Sequence, residues 1–219
     1  MARIAPMAGA GFDIRWAHSG DATEIARLFL IASDGLAAYI WGGNTSPGQS
    51  MEETGAARYA REGVLFSYQN CLIATSGPEV IGMLHAFPMP DRAGGEADPD
   101  PVLRPYSELE DPGSLYISGL AVYPRHRQQG VGDALMDCAE ALAITRALPR
   151  ISLICFERND TARAFYARRG FTVVDRRPLV PHPTLHYKDG DALLMVRKTF
   201  LWAGSKAIDF CAAGDSHHD

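Results

Sequence analysis

The sequence lacks any run of apolar residues long enough to cross a membrane, because no window approaches the roughly 20 residues that a spanning helix needs. Its first residues, MARIAPMAGAGF, have no apolar core of the kind found in secretion signals. The formal net charge of −5 provides no positive excess to attract a nucleic acid. These absences predict a cytoplasmic protein with neither a nucleic acid nor a membrane as partner.

Paired cysteines are also missing. Cys71, Cys138, Cys155 and Cys211 are widely spaced, and no CxxC or paired Cys/His spacing occurs. Three of them lie in apolar runs, which predicts buried structural thiols. The two histidines of the polar ending GDSHHD are more typical of a disordered terminus than of a metal site. We therefore expect no metal.

The order of the predicted elements is β-α-α-β-β, a long loop, then β-α-β-α-β-β, which indicates an α/β fold with a mixed sheet. We expect one domain over 12–200, preceded by a flexible segment 1–11 and followed by a tail 201–219. Residues 34–50 and the Pro-, Gly- and acid-rich insertion 88–114 are both predicted to be loops. Trp202 and Phe210 in the tail suggest packing against a second subunit, and hence a homodimer.

The stretch PRHRQQGVGDAL carries the most chemical information. Gly130 and Gly132 flank a single valine just before an apolar helical stripe. Successive N–H groups at a helix N-terminus form an anion site, and glycine lets phosphate oxygens approach them. Arg127 adds positive charge. The stretch therefore predicts a phosphate-binding turn.

Two other phosphate motifs fit this stretch less well. The dinucleotide fingerprint needs a third glycine where Leu135 stands, and seven residues separate the preceding strand from Gly130. Glu157, at the end of the next strand, is where a ribose-binding acid would lie. The Walker pattern fails because no Gly-Lys-Ser/Thr follows.

The core Arg127-Gln128-Gln129-Gly130-Val131-Gly132 resembles the acyl-coenzyme A signature [Q/R]-x-x-G-x-[G/A] of the GCN5-related N-acetyltransferase (GNAT) superfamily. About 27 residues further on, NDTARAFYARRGF resembles the second signature of that family, N-x-x-A-x-x-[FL]-Y-x-x-x-G-F. The resemblance is firm over residues 115–171 and rests on element order alone over residues 12–86.

This resemblance implies a mixed, mostly antiparallel sheet with a splayed parallel central strand pair, flanked by helices. It implies transfer of an acetyl group from acetyl-CoA directly to an amine. The cofactor-binding residues that it implies are Leu120, Ala121 and Val122 for the pantetheine arm, then Arg127, Gln128, Gln129, Gly130, Val131, Gly132, Asp133, Asn159, Ala162 and Phe165. The Asp133 side chain is expected to point away from the phosphates.

The resemblance also makes Tyr166 the acid that protonates the leaving thiol. The general base stays open, since the strand LYISGLAV carries no acid and offers only Tyr116 and Ser118. Glu110 is the nearest acid to choose, ahead of Glu108, Asp111 and His85.

We expect the acceptor to contact residues 35–48, with Tyr39 and Trp41 forming an apolar wall, and the insertion 88–114. Seven acids against two arginines in that insertion favour a cationic small-molecule or protein amine. Two alternatives remain: an acyl-CoA binding or sensing domain without activity, and a nucleotide-binding oxidoreductase.

Overall fold

The computed structural model describes residues 11–90 and 98–199 of the chain. The predictions for Trp202, Phe210, Cys211 and the two histidines at 217 and 218 therefore lie outside the described residues. Residues 1–10 of the N-terminal segment and 91–97 of the insertion also lie outside them.

A sheet of seven strands forms the centre of the described chain, in the spatial order β1-β2-β3-β4-β5-β7-β6. In the described chain, β4 and β5 are the only neighbours that pair in parallel. This confirms the predicted mixed sheet with a parallel central pair. The strands are β1 (Asp13–Trp16), β2 (Cys71–Ser76), β3 (Glu79–Pro88), β4 (Leu115–Val122), β5 (Arg150–Phe156), β6 (Thr172–Pro178) and β7 (Asp191–Lys198).

Helices cover both faces of this sheet. One apolar cluster joins α5 to the sheet, and a second joins α1, α2 and α3 to β2 and β3 on the opposite face. The helix α6 lies against β5. The helices are α1 (Ala22–Ala32), α2 (Leu36–Gly42), α3 (Met51–Tyr59), α4 (Arg104–Ser107), α5 (Val131–Thr145) and α6 (Asp160–Arg168).

The apolar stripe predicted before Pro149 is the buried face of α5. Val131, Leu135, Cys138 and Leu142 are all buried there, because residues spaced by three and four positions share one side of a helix. The prediction of buried thiols is confirmed for Cys71, Cys138 and Cys155.

Local capping explains where two helices begin. Ser50 and Glu53 form a reciprocal capping box at the start of α3. At α6 the cap is Asn159, whose side-chain oxygen accepts from the Ala162 N–H at 3.1 Å. Gly170, with φ +83°, follows the end of α6, as the sequence predicts.

The predicted loop over 34–50 is partly wrong, because Leu36–Gly42 forms α2. Its apolar side chains Ala37 and Trp41 are buried, so tertiary packing stabilises this helix. The glycines on either side of it favour a loop when the sequence is taken alone. The strand β2 begins only at Cys71, so the apolar residues Leu65 and Phe66 before it are not part of the sheet.

The second half of the insertion is ordered rather than structureless. It contains the short helix α4, and Val102 and Leu109 are buried. Leu109 packs in a small cluster with Phe156 of β5 and Leu179. The insertion therefore contributes a wall of the domain.

A bulge interrupts β4 in its middle. Ile117 lies opposite Ala86 and Gly119 opposite His85, so Ser118 has no partner across the pair. The side-chain alternation changes at this point: Leu115 and Ile117 pack on the α5 side before the bulge, and Leu120 and Val122 after it. Gly119 faces α1, where a Cβ would lie 2.9 Å from the Phe29 ring.

His85 lies opposite the bulge in a cage of aromatic rings. Its Nε2 lies 2.9 Å from the Leu65 carbonyl oxygen, which can only accept, so this nitrogen carries the proton. Nδ1 then accepts from the Tyr59 hydroxyl at 3.2 Å. Burial lowers the pKa of His85 to about 4. His85 is thus a neutral structural residue, and it does not line the cavity described below.

The turn between α1 and α2 is fixed against the segment that joins β6 to β7. The main-chain N–H of His186 donates to the Asp34 carbonyl oxygen at 2.9 Å. Gly35 has φ +95°, and a Cβ there would lie 2.0 Å from the Thr184 carbonyl oxygen. Only glycine allows this close approach.

We predict that protonation of His85 destabilises the fold in acid. Its pKa falls from 6.5 to about 4 on folding, which corresponds to about 3 kcal/mol. The unfolded chain takes up this proton first, so stability is complete above pH 6.5 and is lost as pH falls towards 4. Denaturant unfolding from pH 7 to 4 should show a shallower pH dependence for His85→Gln. In the control Val174→Ala, at an exposed position of β6 that does not titrate, the pH dependence should match the wild type.

We also predict that Gly35→Ala destabilises the protein more than Gly48→Ala. Both glycines have positive φ, +95° and +85°, so each alanine pays the left-handed penalty of about 1–2 kcal/mol. Gly48 has open space around it, whereas the Gly35 position would overlap backbone. Urea unfolding should show an extra loss of about 1–3 kcal/mol for Gly35→Ala. Equal losses would contradict the packing described here.

Candidate functional site

The parallel strands β4 and β5 pair over only three positions, from Leu115 opposite Ile151 to Ile117 opposite Leu153. Beyond these residues the two strands diverge, while β4 continues to Val122 alongside β3. A cavity of about 1170 Å³ opens between them. Both diverging strands line it, with Leu120 to Val122 on one side and Ile154 to Phe156 on the other.

One end of this cavity is a turn of free main-chain donors. Gln128 and Gly130 have positive φ, +61° and +81°, and α5 begins directly after them. From Gln128 to Asp133 no main-chain N–H has an acceptor within residues 11–90 and 98–199. Alternating left- and right-handed residues before a helix N-terminus form an anion-binding concavity.

Basic side chains surround this turn. His126, Arg127 and Arg168 line the cavity. The Arg127 guanidinium donates from Nε to the Val122 carbonyl oxygen at 3.1 Å, so it lies along the open part of β4. The sequence did not single out Arg168, because charged residues on the outer face of a short helix are common.

Two residues of the first signature, and Asp133 directly after it, are arranged differently from the rest. The Gln129 side chain donates to the Arg125 carbonyl oxygen at 3.1 Å and does not line the cavity. The Val131 side chain is buried in the core, so only its main chain can face a ligand. The Asp133 carboxylate accepts from Arg169 at 2.9 Å.

The second signature forms α6 and the opposite wall of the cavity. Asn159, Ala162 and Phe165 all line it. A Cβ at Gly132 would lie 3.6 Å from the Phe165 ring, so the starts of α5 and α6 face each other closely. The two signatures, which are distant in sequence, therefore meet at one site.

Tyr166 lies on α6 between Phe165 and Phe171, with ring centroids 5.3 and 5.8 Å away. It is half-buried and lines the cavity. Burial raises the pKa of its hydroxyl, and the acidic groups of Cys155 and Asp34 add to this effect. The phenol therefore keeps its proton at neutral pH.

The end of the cavity away from the basic turn is built by three separate segments. They are the α1–α2 turn with Asp34, the insertion with Tyr106 and Glu110, and the β6–β7 segment with Tyr187. All four of these side chains line the cavity. Carboxylates and phenols thus occupy this end, in contrast to the basic turn.

Hydrogen bonds tie these segments together. The Tyr39 hydroxyl donates to Asp100 at 2.8 Å, and its ring packs on His182 with centroids 4.5 Å apart. Tyr39 thus faces a smaller second pocket and not the main cavity, contrary to the expected acceptor wall. Trp41 is almost fully buried beside Phe29 and contributes mainly to the core.

Glu110 lies near the start of β4, where its charge adds to the burial that raises the pKa of Tyr116. The side chains that β4 presents to the cavity include no carboxylate along its full length, Leu115–Val122. Asp34, which the sequence did not single out, is therefore the second acid to consider besides Glu110. Its only local signal was an Asp-Gly pair of the kind common in turns.

Over 11–90 and 98–199, no group of three or more His, Cys, Asp and Glu side chains could hold a metal ion. No helix in these ranges is long and apolar enough to span a membrane.

Solved structures share this fold. The chain is 18% identical to the yncA protein from Salmonella typhimurium with its cofactor acetyl-CoA, with a TM-score of 0.57, covering 92% of this chain and 99% of that one. An N-acetyltransferase from Staphylococcus aureus Mu50 is 13% identical with a TM-score of 0.58, over 86% and 99% of the two chains. The paia N-acetyltransferase from Thermoplasma acidophilum with coenzyme A is 15% identical with a TM-score of 0.51, over 85% and 98%.

No functionally curated protein matches the chain. The model of the acetyltransferase (GNAT) family, however, matches residues 38–171, which is more than half of the sequence. This match spans α2 to α6 and contains both signatures, the split strands and the turn of free donors. The chain therefore belongs to the GNAT acetyltransferase family.

Proposed function

We propose that this protein transfers the acetyl group of acetyl-CoA directly to the nitrogen of an amine. The observation that carries the proposal is the split between β4 and β5, which opens one cavity with a basic turn at one end and acids and phenols at the other. Such a cavity brings a phosphate-bearing donor and an amine together in one continuous space.

The residues present suit the donor. The free N–H groups from Gln128 to Asp133 and the cations Arg127 and Arg168 suit a pyrophosphate. The unpaired edge of β4 near Leu120 and Val122 suits an extended amide-containing arm, which can add to a sheet edge as a further strand. When bound, the coenzyme supplies the thioester that is cleaved.

The remaining expected residues belong to this proposal. Ala121, Asn159, Ala162 and Phe165 line the cavity and would contact the arm. Gly130, Val131 and Gly132 contribute main-chain groups, and Gln129 contributes its main-chain N–H alone. The paired Asp133 carboxylate keeps its charge engaged with Arg169.

The reaction needs a neutral amine and a protonated leaving thiol. An ordinary alkylamine has a pKa of about 10.4, so roughly 4 kcal/mol separates it from its neutral form at pH 7. Tyr166 holds a proton on a hydroxyl with a raised pKa, and the residue lines the cavity. We assign it the donation of that proton to the thiolate sulfur.

The acceptor is proposed to be a cationic small-molecule or protein amine. Asp34, Asp98 and Glu110 line the cavity, and their charges would attract an ammonium group. We further propose that the enzyme is cytoplasmic, acts as a homodimer and has neither a nucleic acid nor a membrane as partner.

A second candidate function is acyl-CoA binding without turnover. It is favoured by the absence of a carboxylate on β4, where many family members carry the base. Thiol release from acetyl-CoA in the presence of cationic, neutral and anionic amines tests both functions. Release with cationic amines supports the proposal, whereas tight coenzyme binding with no release supports the alternative. A preference for anionic amines would contradict the predicted acceptor charge.

We predict that Tyr166→Phe lowers kcat by about 10²–10⁴-fold with the best amine, because the leaving thiolate loses its proton donor. The Kd for acetyl-CoA, measured by calorimetry, should stay unchanged. Tyr116→Phe is the matched control, since Tyr116 is a second cavity phenol with a raised pKa. A larger loss in the control than in Tyr166→Phe would show that the acid is misassigned.

We predict that Gly130→Ala weakens coenzyme A binding by at least about tenfold. An alanine relaxes towards negative φ and turns the neighbouring N–H groups out of line. Gly77→Ala is the control, because Gly77 also has positive φ and no atoms within 4 Å of its Cβ position. Both variants should lose similar stability, and only Gly130→Ala should lose affinity in calorimetry. Equal affinities would refute the role of this turn.

A further inference from the structure

Asp34 occupies an unusual position in the cavity. Its side chain is only 17% exposed, although it stands in a turn between two helices. Oδ2 accepts from Asn159 Nδ2 at 2.8 Å, and Oδ1 lies 3.5 Å from His186 Nδ1. The carboxylate is therefore held from α6 on one side and from the β6–β7 segment on the other.

The main chain fixes Asp34 as firmly as its side chain. Its φ is +49°, a left-handed conformation that non-glycine residues rarely adopt. The bond from the His186 N–H to its carbonyl oxygen and the tight packing of Gly35 hold this conformation. Backbone strain of this kind persists where the surrounding structure enforces it, and it concentrates at functional sites.

Hydroxyl and thiol groups face Asp34 from every element around it. Burial raises the pKa of the Asp34 carboxyl, while the bonds to Asn159 and His186 oppose that rise. The groups whose own pKa values Asp34 raises are Tyr106 of α4, Cys155 of β5, Tyr166 of α6 and Tyr187 of the β6–β7 segment. His186 is the one basic side chain that acts on Asp34 within the described chain.

Asp34 shares the environment of Tyr166. Asn159, which caps the helix that carries Tyr166, donates to the Asp34 carboxylate at 2.8 Å, and the charge of Asp34 acts on the Tyr166 hydroxyl. The sulfur that Tyr166 is proposed to protonate is bonded to the carbonyl carbon that the amine attacks. The base that takes the proton of the amine must therefore lie near Tyr166 as well.

We propose that Asp34 is the group that takes the proton from the acceptor ammonium, and that Asn159 and His186 are positioning residues for its carboxylate. This inference rests on the proposed function. It assigns the base to the α1–α2 turn instead of to Glu110.

The proton and electron balance is complete with these two side chains. An oxygen of Asp34 takes one proton from the ammonium, which leaves a neutral amine. The nitrogen lone pair forms the new C–N bond, and the C–S pair leaves on sulfur, which takes the Tyr166 proton. The resulting phenolate takes the second nitrogen proton, and Asp34 releases its proton to solvent with the product.

Asp34→Asn is the sharpest variant, because asparagine keeps an acceptor oxygen for Asn159 and tolerates left-handed φ. Asp189→Asn is its control: Asp189 lies in the β6–β7 segment that also carries His186, its side chain is exposed, and it does not line the cavity. Glu110→Gln tests the rival base. Thermal unfolding checks that each variant folds.

The readout is kcat/KM for the best alkylamine and for its β,β-difluorinated analogue, whose ammonium loses its proton near neutral pH. At pH 7, Asp34→Asn should lower kcat/KM for the alkylamine by about 10²–10³-fold. For the fluorinated amine the loss should stay within about tenfold, because no base is needed. With the alkylamine, the variant should gain roughly tenfold per pH unit as the neutral amine accumulates. Asp189→Asn should match the wild type.

Equal losses with the two amines would overturn the assignment, since a purely structural or binding role predicts them. Loss in Glu110→Gln with full activity in Asp34→Asn would overturn it in favour of Glu110. If the wild type and Asp34→Asn acetylate amines equally well, the assignment of Asp34 is wrong and the proposed function stands. If the wild type turns over no amine, both the proposed function and the assignment of Asp34 are wrong.

Discussion

Main-chain pairing between β4 and β5 stops after Ile117 and Leu153, and the shape of the cavity depends on where it stops. The bulge at Ser118 comes directly after the last paired position, and bulges increase local strand twist. β4 can leave β5 because its other edge stays paired with β3. The edge that this divergence exposes needs hydrogen-bond partners, which an extended ligand can supply.

Each diverging strand leads to a helix that begins at the opening. α5 follows β4 through the turn of free N–H groups, and α6 follows β5 through its cap Asn159. The positive ends of both helix dipoles therefore lie near the same cavity. The side-chain oxygen of Asn159 forms this cap, and its amide nitrogen donates to Asp34. One side chain therefore joins α6 to the α1–α2 turn.

The half of the chain that carries the two signatures could be predicted well from the sequence. Caps, glycine turns and the stripe of α5 are local signals, readable within a few residues. The helix α2 was missed because it is short and has glycines at both ends, while its stability depends on burial of Ala37 and Trp41 in the tertiary structure. Asp34 could not be found at all, since its bonding partner Asn159 lies 125 positions away and the pair carries no local pattern.

The contacts at the end of the cavity away from the basic turn have a consequence for engineering. Tyr39, Asp100 and His182 come from three segments that are distant in sequence yet hold one another in place. A loop grafted from another acetyltransferase into one segment would leave the other two without their contacts. Redesign of this end of the cavity therefore calls for exchange of all three segments as one unit.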